Sequence, residues 1–571
     1  MTRTQRIVIV AGALAVCAAA AVVLMHHHRR EVPMLLTNGV VYTVNPSQPR
    51  AEAIAIDDGV IVGVGSATDL LERFKPDSVI DLQGKPVYPG FIDSHAHLEG
   101  LGASLMYLDL RGLRSAQAVA QHVAEASHDR PEGSVIRGTG WDQNLWPDKK
   151  FPTKEILDRV VPNSPVVLRR IDGHAVWVNS AGLKLAKITR ATPDPPGGRI
   201  LRARGGEPGG VLVDNAVDLL LDAIPPPSKA EREEAIRLAI PVCLEFGLTQ
   251  VHDMGADSEM IAIYRDMIAK HQFPFRVYVA IGGTGATWKE YLKSGPEKID
   301  RSGKLSVRAL KLYMDGALGS RGAALVEPYA DDPGNRGITI MTGDSLAGIA
   351  ETCIDNGFQL CVHAIGDRAN DIVLAAYARA FKARGVSGND LRFRIEHAEV
   401  LDPDDIGKFH ALSVLPMMQP THCTSDMPWI VDRLGPPRAQ YASVWRSLID
   451  DGNIIPGGSD FPVESPNPLL GIYAAITRQD LQGRPDTGWY PEQRMTRDEA
   501  LKSFTLWGSY AAFQEDQKGS IEVGKWADLV VLDRDIMRID ASEIPDVKVL
   551  RTMVGGDFVY ENPSVVADQG Q

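Results

Sequence analysis

"FIDSHAHLEG", residues 91–100, ends an apolar approach with two histidines one residue apart. Alternate side chains on an extended chain point the same way, so His95 and His97 can both face one metal ion. The pair alone reads equally well as two polar residues at a strand end. The missing ligands must come from elsewhere, from places that a single fold brings together.

Working outward, apolar runs that read as strands recur at 88–94, 247–253, 274–281, 305–314, 357–363, 391–397, 411–419 and 453–459. Helical patterns at 230–245, 257–270, 345–355, 368–384 and 440–451 separate most of them. Alternation of this kind predicts a (β/α)8 TIM barrel, class α/β, with its active site at the C-terminal strand ends. One connection is too long, so residues of about 100–235 form an inserted domain after barrel strand 1, with strand-like "SVIRGTGW" and "PVVLRRID". The stretch "TPDPPGGRILRARGGEPGG" within it reads as a mobile or covering loop. Short alternating strands at 34–85 and 519–562 are each too small to stand alone and together predict one small β-sandwich built from both chain ends. The organisation that follows is an N-terminal hydrophobic segment (1–33), first sandwich part (34–87), barrel (88–510), second sandwich part (511–562) and tail (563–571).

Candidate ligands fall at these strand ends: His95 and His97 after strand one, Lys311 in strand four, His363 at the end of five, His397 of six and Asp460 of eight. Lys311 stands in "ALKLYM", apolar on every side. Burying a charged amine there carries a heavy desolvation cost, and a neutral buried amine can react with carbon dioxide to give an anionic carbamate. A lysine paired with Asp315 is the simpler alternative, and a helix N-cap is the alternative for Asp460.

With 571 residues, 44% of them hydrophobic and 23% charged, the chain is long enough for two or three domains around a large core. A net charge of −13 without a long basic cluster argues against a nucleic-acid partner. Five cysteines without CxxC spacing suggest neither a disulfide framework nor a cysteine metal site. Residues 7–25, "IVIVAGALAVCAAAAVVLM", carry no charge and are just long enough to span a bilayer. They predict a signal anchor or export signal, with membrane contact through this segment only and an exported rather than cytoplasmic protein. A mis-assigned start is the alternative.

The stretches "PGFIDSHAHLEG", "GWDQNLWPDKKFPT", "RRIDGHAVWVNSAGL", "KLYMDGALGSRGAAL", "VHAIGDRAND", "RIEHAEV", "MQPTHCTSD" and "GGSDFPVESPNPLLGIYAAITRQ" together resemble the amidohydrolase superfamily. More narrowly they resemble its YtcJ-like (amidohydrolase 3) branch, which includes N-substituted formamide deformylases. The resemblance covers nearly the whole chain after residue 34. It implies two divalent metal ions, expected to be Zn²⁺. His95 and His97 would bind the more buried ion, His363 and His397 the second, and a Lys311 carboxylated by CO2 would bridge them. Asp460 would contact an ion and act as general base and acid. Trp141, Asp142, Asp172 and His174 match motifs of the branch, while His252 ends strand two and His422 ends strand seven. These six are candidates for orienting a carbonyl or stabilising an oxyanion, and each is equally readable as structural. Arg321, in the loop after Lys311, would reach an anionic substrate group or hold its loop.

The expected activity is metal-dependent hydrolysis of a non-peptide C–N bond in a small amide-type substrate. The alternatives are a mononuclear deaminase or esterase on the same scaffold, or a metal-binding protein without catalysis. Pairing of relatives through barrel helices suggests a homodimer by analogy.

Overall fold

The computed structural model describes residues 29–568 apart from 129 and 301, so the expected membrane segment at 7–25 lies outside the described residues. Seven parallel strands make the barrel wall: β1 (Phe91–Ala96), β2 (Leu248–Ala256), β3 (Arg276–Gly282), β4 (Leu305–Tyr313), β5 (Gln359–Ala364), β6 (Arg394–His397) and β7 (Leu415–Met417). They pair in unbroken chain order. Most of their residues are buried on both faces, which is why the sequence shows runs of apolar residues rather than clean alternation.

The expected eighth strand at 453–459 is not a regular strand. Pro456 has no N–H to give to a ladder, and Gly457 and Gly458 offer no side chain to pack. The segment nevertheless closes the barrel. Ser94 donates to the Gly457 carbonyl and Asp460 to that of His95 on one side, while Gly458 donates to the Met418 carbonyl on the other. The glycines are there because the neighbours come close. A Cβ on Gly458 would stand 2.6 Å from the His95 nitrogen, and one on Gly457 2.6 Å from Ser503 Oγ.

Outer helices follow the expected pattern within a few residues. Lys229–Glu245 starts at a capping box of Ser228 with Glu231, and Gly343–Asn356 and Asp367–Arg384 end at left-handed Gly357 and Gly385. β7 is shorter than the expected 411–419, because the helix Pro403–Leu412 and its left-handed cap Ser413 take the first residues and Gln419 caps the next helix.

The chain ends supply two sheets. One has four strands from residues 30–81, and in the other Leu529–Leu532 pairs with both Val549–Val554 and Pro86–Pro89. Leu36, Ile54, Val87, Leu529 and Met553 share one core between them. The inserted domain is a six-stranded sheet running from Leu108–Asp109 to Gly198–Arg202. The stretch expected to be a loop at 192–210 instead contains Gly198–Arg202 and the start of Pro208–Asp214, which pair antiparallel. Among the described residues no helix is long and apolar enough to cross a membrane.

A buried ion pair ties barrel to sheet. Arg276 on β3 reaches both carboxylate oxygens of Asp528 at 2.7 and 2.8 Å and lies over the Trp526 ring at 3.9 Å. Burial opposes ionisation of Asp528, but the Arg276 guanidinium outweighs it and holds the carboxyl below its ordinary range. Asp528→Ala leaves that guanidinium buried without a counter-ion, so the variant loses about 3–5 kcal/mol of stability. Calorimetric unfolding checks this, and an unfolding temperature equal to that of the parent protein contradicts it.

Candidate metal centre

Four strand ends and the closing segment converge on Asp460. Its Oδ1 lies 3.1 Å from His97 Nε2 and 3.5 Å from His95 Nε2, and its Oδ2 lies 3.9 Å from His422 Nε2. Two groups of ligand atoms stand within 4.8 Å of one another, His95 with His97 and Asp460, and His397 with His422 and Asp460. The carboxylate is common to both.

Local backbone is bent to achieve this. Pairing of β1 with β2 shifts register between Val251 and Asp253, so that β1 carries an extra residue just where His95 turns inward. His97 then caps the helix Leu98–Met106. His397 and Asp460 both have positive φ, 75° and 56°, which is uncommon for non-glycine residues and clusters at functional sites.

The rings are oriented from behind. His95 Nδ1 lies 2.5 Å from Glu396 Oε2, and Arg394 donates to both oxygens of Glu396 at 2.7 and 2.9 Å. His397 Nδ1 lies 2.7 Å from Gln419 Oε1, an amide acceptor that makes this nitrogen the one carrying hydrogen. Both arrangements turn Nε2 toward the centre as a lone-pair donor, the usual support of a metal-bound histidine. Burial, with the nearby Lys311 and the other rings, keeps His95 and His397 well below the usual imidazole range and hence neutral. Burial opposes ionisation of Asp460, and positive charge at the His95, His97 and His422 rings lowers its pKa, a charge that the neutral His95 ring would leave to a bound ion. The test of fit is at the centre itself. Asp460 Oδ1 and His422 Nε2 are buried polar atoms without a hydrogen-bond partner. Buried polar atoms are rarely left so, and neutral imidazoles with a carboxylate are the donor set of a divalent ion.

The other expected residues divide. Lys311 is 1% exposed, with Nζ 3.4 Å from His95 Nε2 and 4.7 Å from the Tyr313 ring. Its expected alternative partner, Asp315, is instead used by the backbone N–H groups of Ala324, Ile365 and Gly366. His363 packs on His397, with ring centroids 4.5 Å apart, but belongs to neither ligand group, and its Nε2 lies 3.5 Å from Asp315. The group around His397 takes His422 instead, a residue expected only to contact substrate. His174 is held by Asp214 at 2.7 Å. Burial disfavours its charged form, yet Asp214 raises its pKa above the ordinary value. Asp142 and Asp172 both grip Arg170 at 2.5 Å, and all four of these residues line a cavity beside Asp460.

Three expectations for substrate contact are corrected. Trp141 is fully buried, donates to the Leu168 carbonyl and packs on Trp146 and Trp177 in the core of the inserted sheet. His252 is buried behind the site against Arg394, 3.1 Å away. Arg321 pairs with Asp331 at 2.8 Å and so holds its loop. None of the three lines the cavity.

Glu396, Arg394, Gln419 and Asp214 were missed from sequence. Glu396 adjoins His397, and strict alternation lets only one of two neighbours face inward. The positive φ of His397 lets both serve the site.

A model of the amidohydrolase family matches residues 78–560. The chain is 36% identical to a putative amidohydrolase, YtcJ, of Bacillus subtilis (strain 168) over 92% of its own length and 98% of the relative's. It is 29% identical to an N-substituted formamide deformylase of Arthrobacter pascens, over 92% and 98%. Among solved structures, an uncharacterized metal-dependent hydrolase from Pyrococcus horikoshii OT3 aligns over 89% of this chain and 99% of its own, with 26% identity and a TM-score of 0.71.

Replacing Gln419 by Leu removes the acceptor that orients His397. Metal affinity at the Asp460 centre falls about 10- to 100-fold. Competition with a chromogenic chelator measures it, and an unchanged affinity shows that Gln419 does not set the ring.

Proposed function

This chain belongs to the amidohydrolase family, and from that premise we propose that it hydrolyses a non-peptide C–N bond in a small amide-type substrate with the help of divalent metal. The observation that carries the proposal is the single buried carboxylate, Asp460, shared by two sets of histidine nitrogens at the mouth of the barrel. His95, His97 and Asp460 would hold one ion, and His397, His422 and Asp460 a second, with zinc the expected metal from the nitrogen and oxygen donors. Bound there, such ions supply Lewis acidity and bring the pKa of a coordinated water to about 7.

The chain's own residues do the rest. Asp460, ionised at neutral pH, takes the proton of the attacking water and returns it to the leaving amine, which needs one to depart. His174, whose protonated form Asp214 favours, faces the cavity and stabilises the oxyanion that develops on the carbonyl. Lys311 has no ion-pair partner among the described residues, and carboxylation by CO2 would turn an uncompensated buried amine into an oxygen ligand. Arg170 fixes Asp142 and Asp172 at the rim, where the inserted domain covers the site.

A single-ion deaminase or esterase is the second reading. It is favoured by one observation, that His363 stands outside both ligand groups. Counting metal per chain separates the two.

Asp460→Asn lowers kcat about 10²- to 10⁴-fold on whichever N-acyl amine, N-formyl amine, lactam or ester the metal-loaded protein turns over. A variant that keeps parental turnover removes Asp460 from the chemistry. Lys311→Ala abolishes that turnover, and added acetate or propionate restores part of it by supplying the lost carboxylate. Activity of the variant without any added acid shows that Lys311 is not a carboxylated ligand.

A further inference from the structure

The cavity beside Asp460 has a volume of about 300 Å³, and one of its sides is acidic. Glu399, Asp426 and Glu464 line it together. Glu399 is 6% exposed, and its Oε1 is buried without a hydrogen-bond partner. Asp426 follows His422 by four residues on the helix Pro420–Leu434, and Glu464 follows Asp460 by four, so both carboxylates are fixed by the elements that fix the centre.

Among the described residues none of the three has an ion-pair partner. The lining has two arginines. Arg170 is spent on Asp142 and Asp172 at 2.5 Å each, and Arg111 grips Asp109 through two nitrogens at 2.8 Å. Burial and the charges of Glu399 and Glu464, only partly offset by Arg170, push the Asp426 carboxyl well above its usual range, as expected of like charges crowded together. The indole of Trp429, three residues beyond Asp426 on the same helix, lines the cavity and is 5% exposed. Arg433 lies over that indole at 5.3 Å, so the ring serves the cavity as an apolar wall, and carboxylates beside an apolar wall suit an organic ammonium group by ion pairing in a partly desolvated site.

We propose that the acidic side of this cavity binds a cationic group of the substrate, so that the hydrolysed compound is a small amide carrying an ammonium group away from the scissile bond. The substrate class rests on the hydrolase reading above, whereas binding of the cation does not require turnover.

The test is calorimetric titration of the purified protein, as isolated, with choline, with its neutral isostere 3,3-dimethylbutan-1-ol and with 3,3-dimethylbutanoate. Choline binds about tenfold or more tightly than the alcohol, the carboxylate binds least, and the preference for choline shrinks as salt is raised. Glu464→Gln and Asp426→Asn each weaken choline several-fold and leave the alcohol unchanged. Should one variant misfold, the other and the salt series of the parent protein still decide. Equal affinity for choline and the alcohol, preference for the carboxylate, or binding of none of the three overturns the proposal. A protein that prefers choline but hydrolyses no amide fails only the functional reading, and one that hydrolyses neutral amides without preferring choline fails only this one.

Discussion

Asp460 is a carboxylate in a buried place, and its ionised form needs positive charge close by. Burial alone would drive the carboxyl toward its neutral form. Positive charge at the His95, His97 and His422 rings, or on an ion held by them, reverses that tendency. The rings in turn need their own orientation, which comes from Glu396, Arg394 and Gln419 inside the barrel wall. A carboxylate able to accept a proton and imidazoles with free lone pairs are the two requirements of the proposed chemistry, and one cluster satisfies both.

Barrel closure and site assembly are the same event. Asp460 belongs to the segment that substitutes for an eighth strand, and its backbone N–H is bonded to the His95 carbonyl. Were Gly458 replaced by a residue with a side chain, its Cβ would collide with His95 and Asp93 of β1, and one at Gly457 would collide with Ser503 and Phe504 behind the wall. The carboxylate would then be displaced from the histidines. The inserted domain adds the roof, with Arg170, Asp142, Asp172 and His174 reaching over the barrel mouth, and its tryptophans serve its own core rather than the substrate.

Much was legible from residue order. Runs of apolar residues separated by helical patterns locate seven of eight barrel strands, because strands buried on both faces must be apolar nearly throughout. His95, His97, His397 and Asp460 could be picked out because each ends such a run. His422, read as the end of strand seven, lies in the first turn of the helix Pro420–Leu434, where its Nε2 comes within 3.9 Å of Asp460. His363 does stand at the end of β5, and its Nε2 lies 3.5 Å from Asp315. Trp141 was singled out because it and Asp142 match motifs of the branch, and Asp142 does line the cavity. Its indole points to the opposite face of the inserted sheet, and only the pairing of Ile136–Trp141 with Val166–Arg170 determines which face that is.

The sequence by itself determined the barrel, its insertion and the types of group at the strand ends, because hydrophobic periodicity and residue chemistry are local properties. Tertiary structure decided which nitrogens share the Asp460 carboxylate, which carboxylates are left without a cation, and that Glu396 stands behind His95. These depend on distances between side chains hundreds of residues apart, set by a register shift in β1, by left-handed φ at His397 and Asp460, and by a glycine pair that lets the wall close.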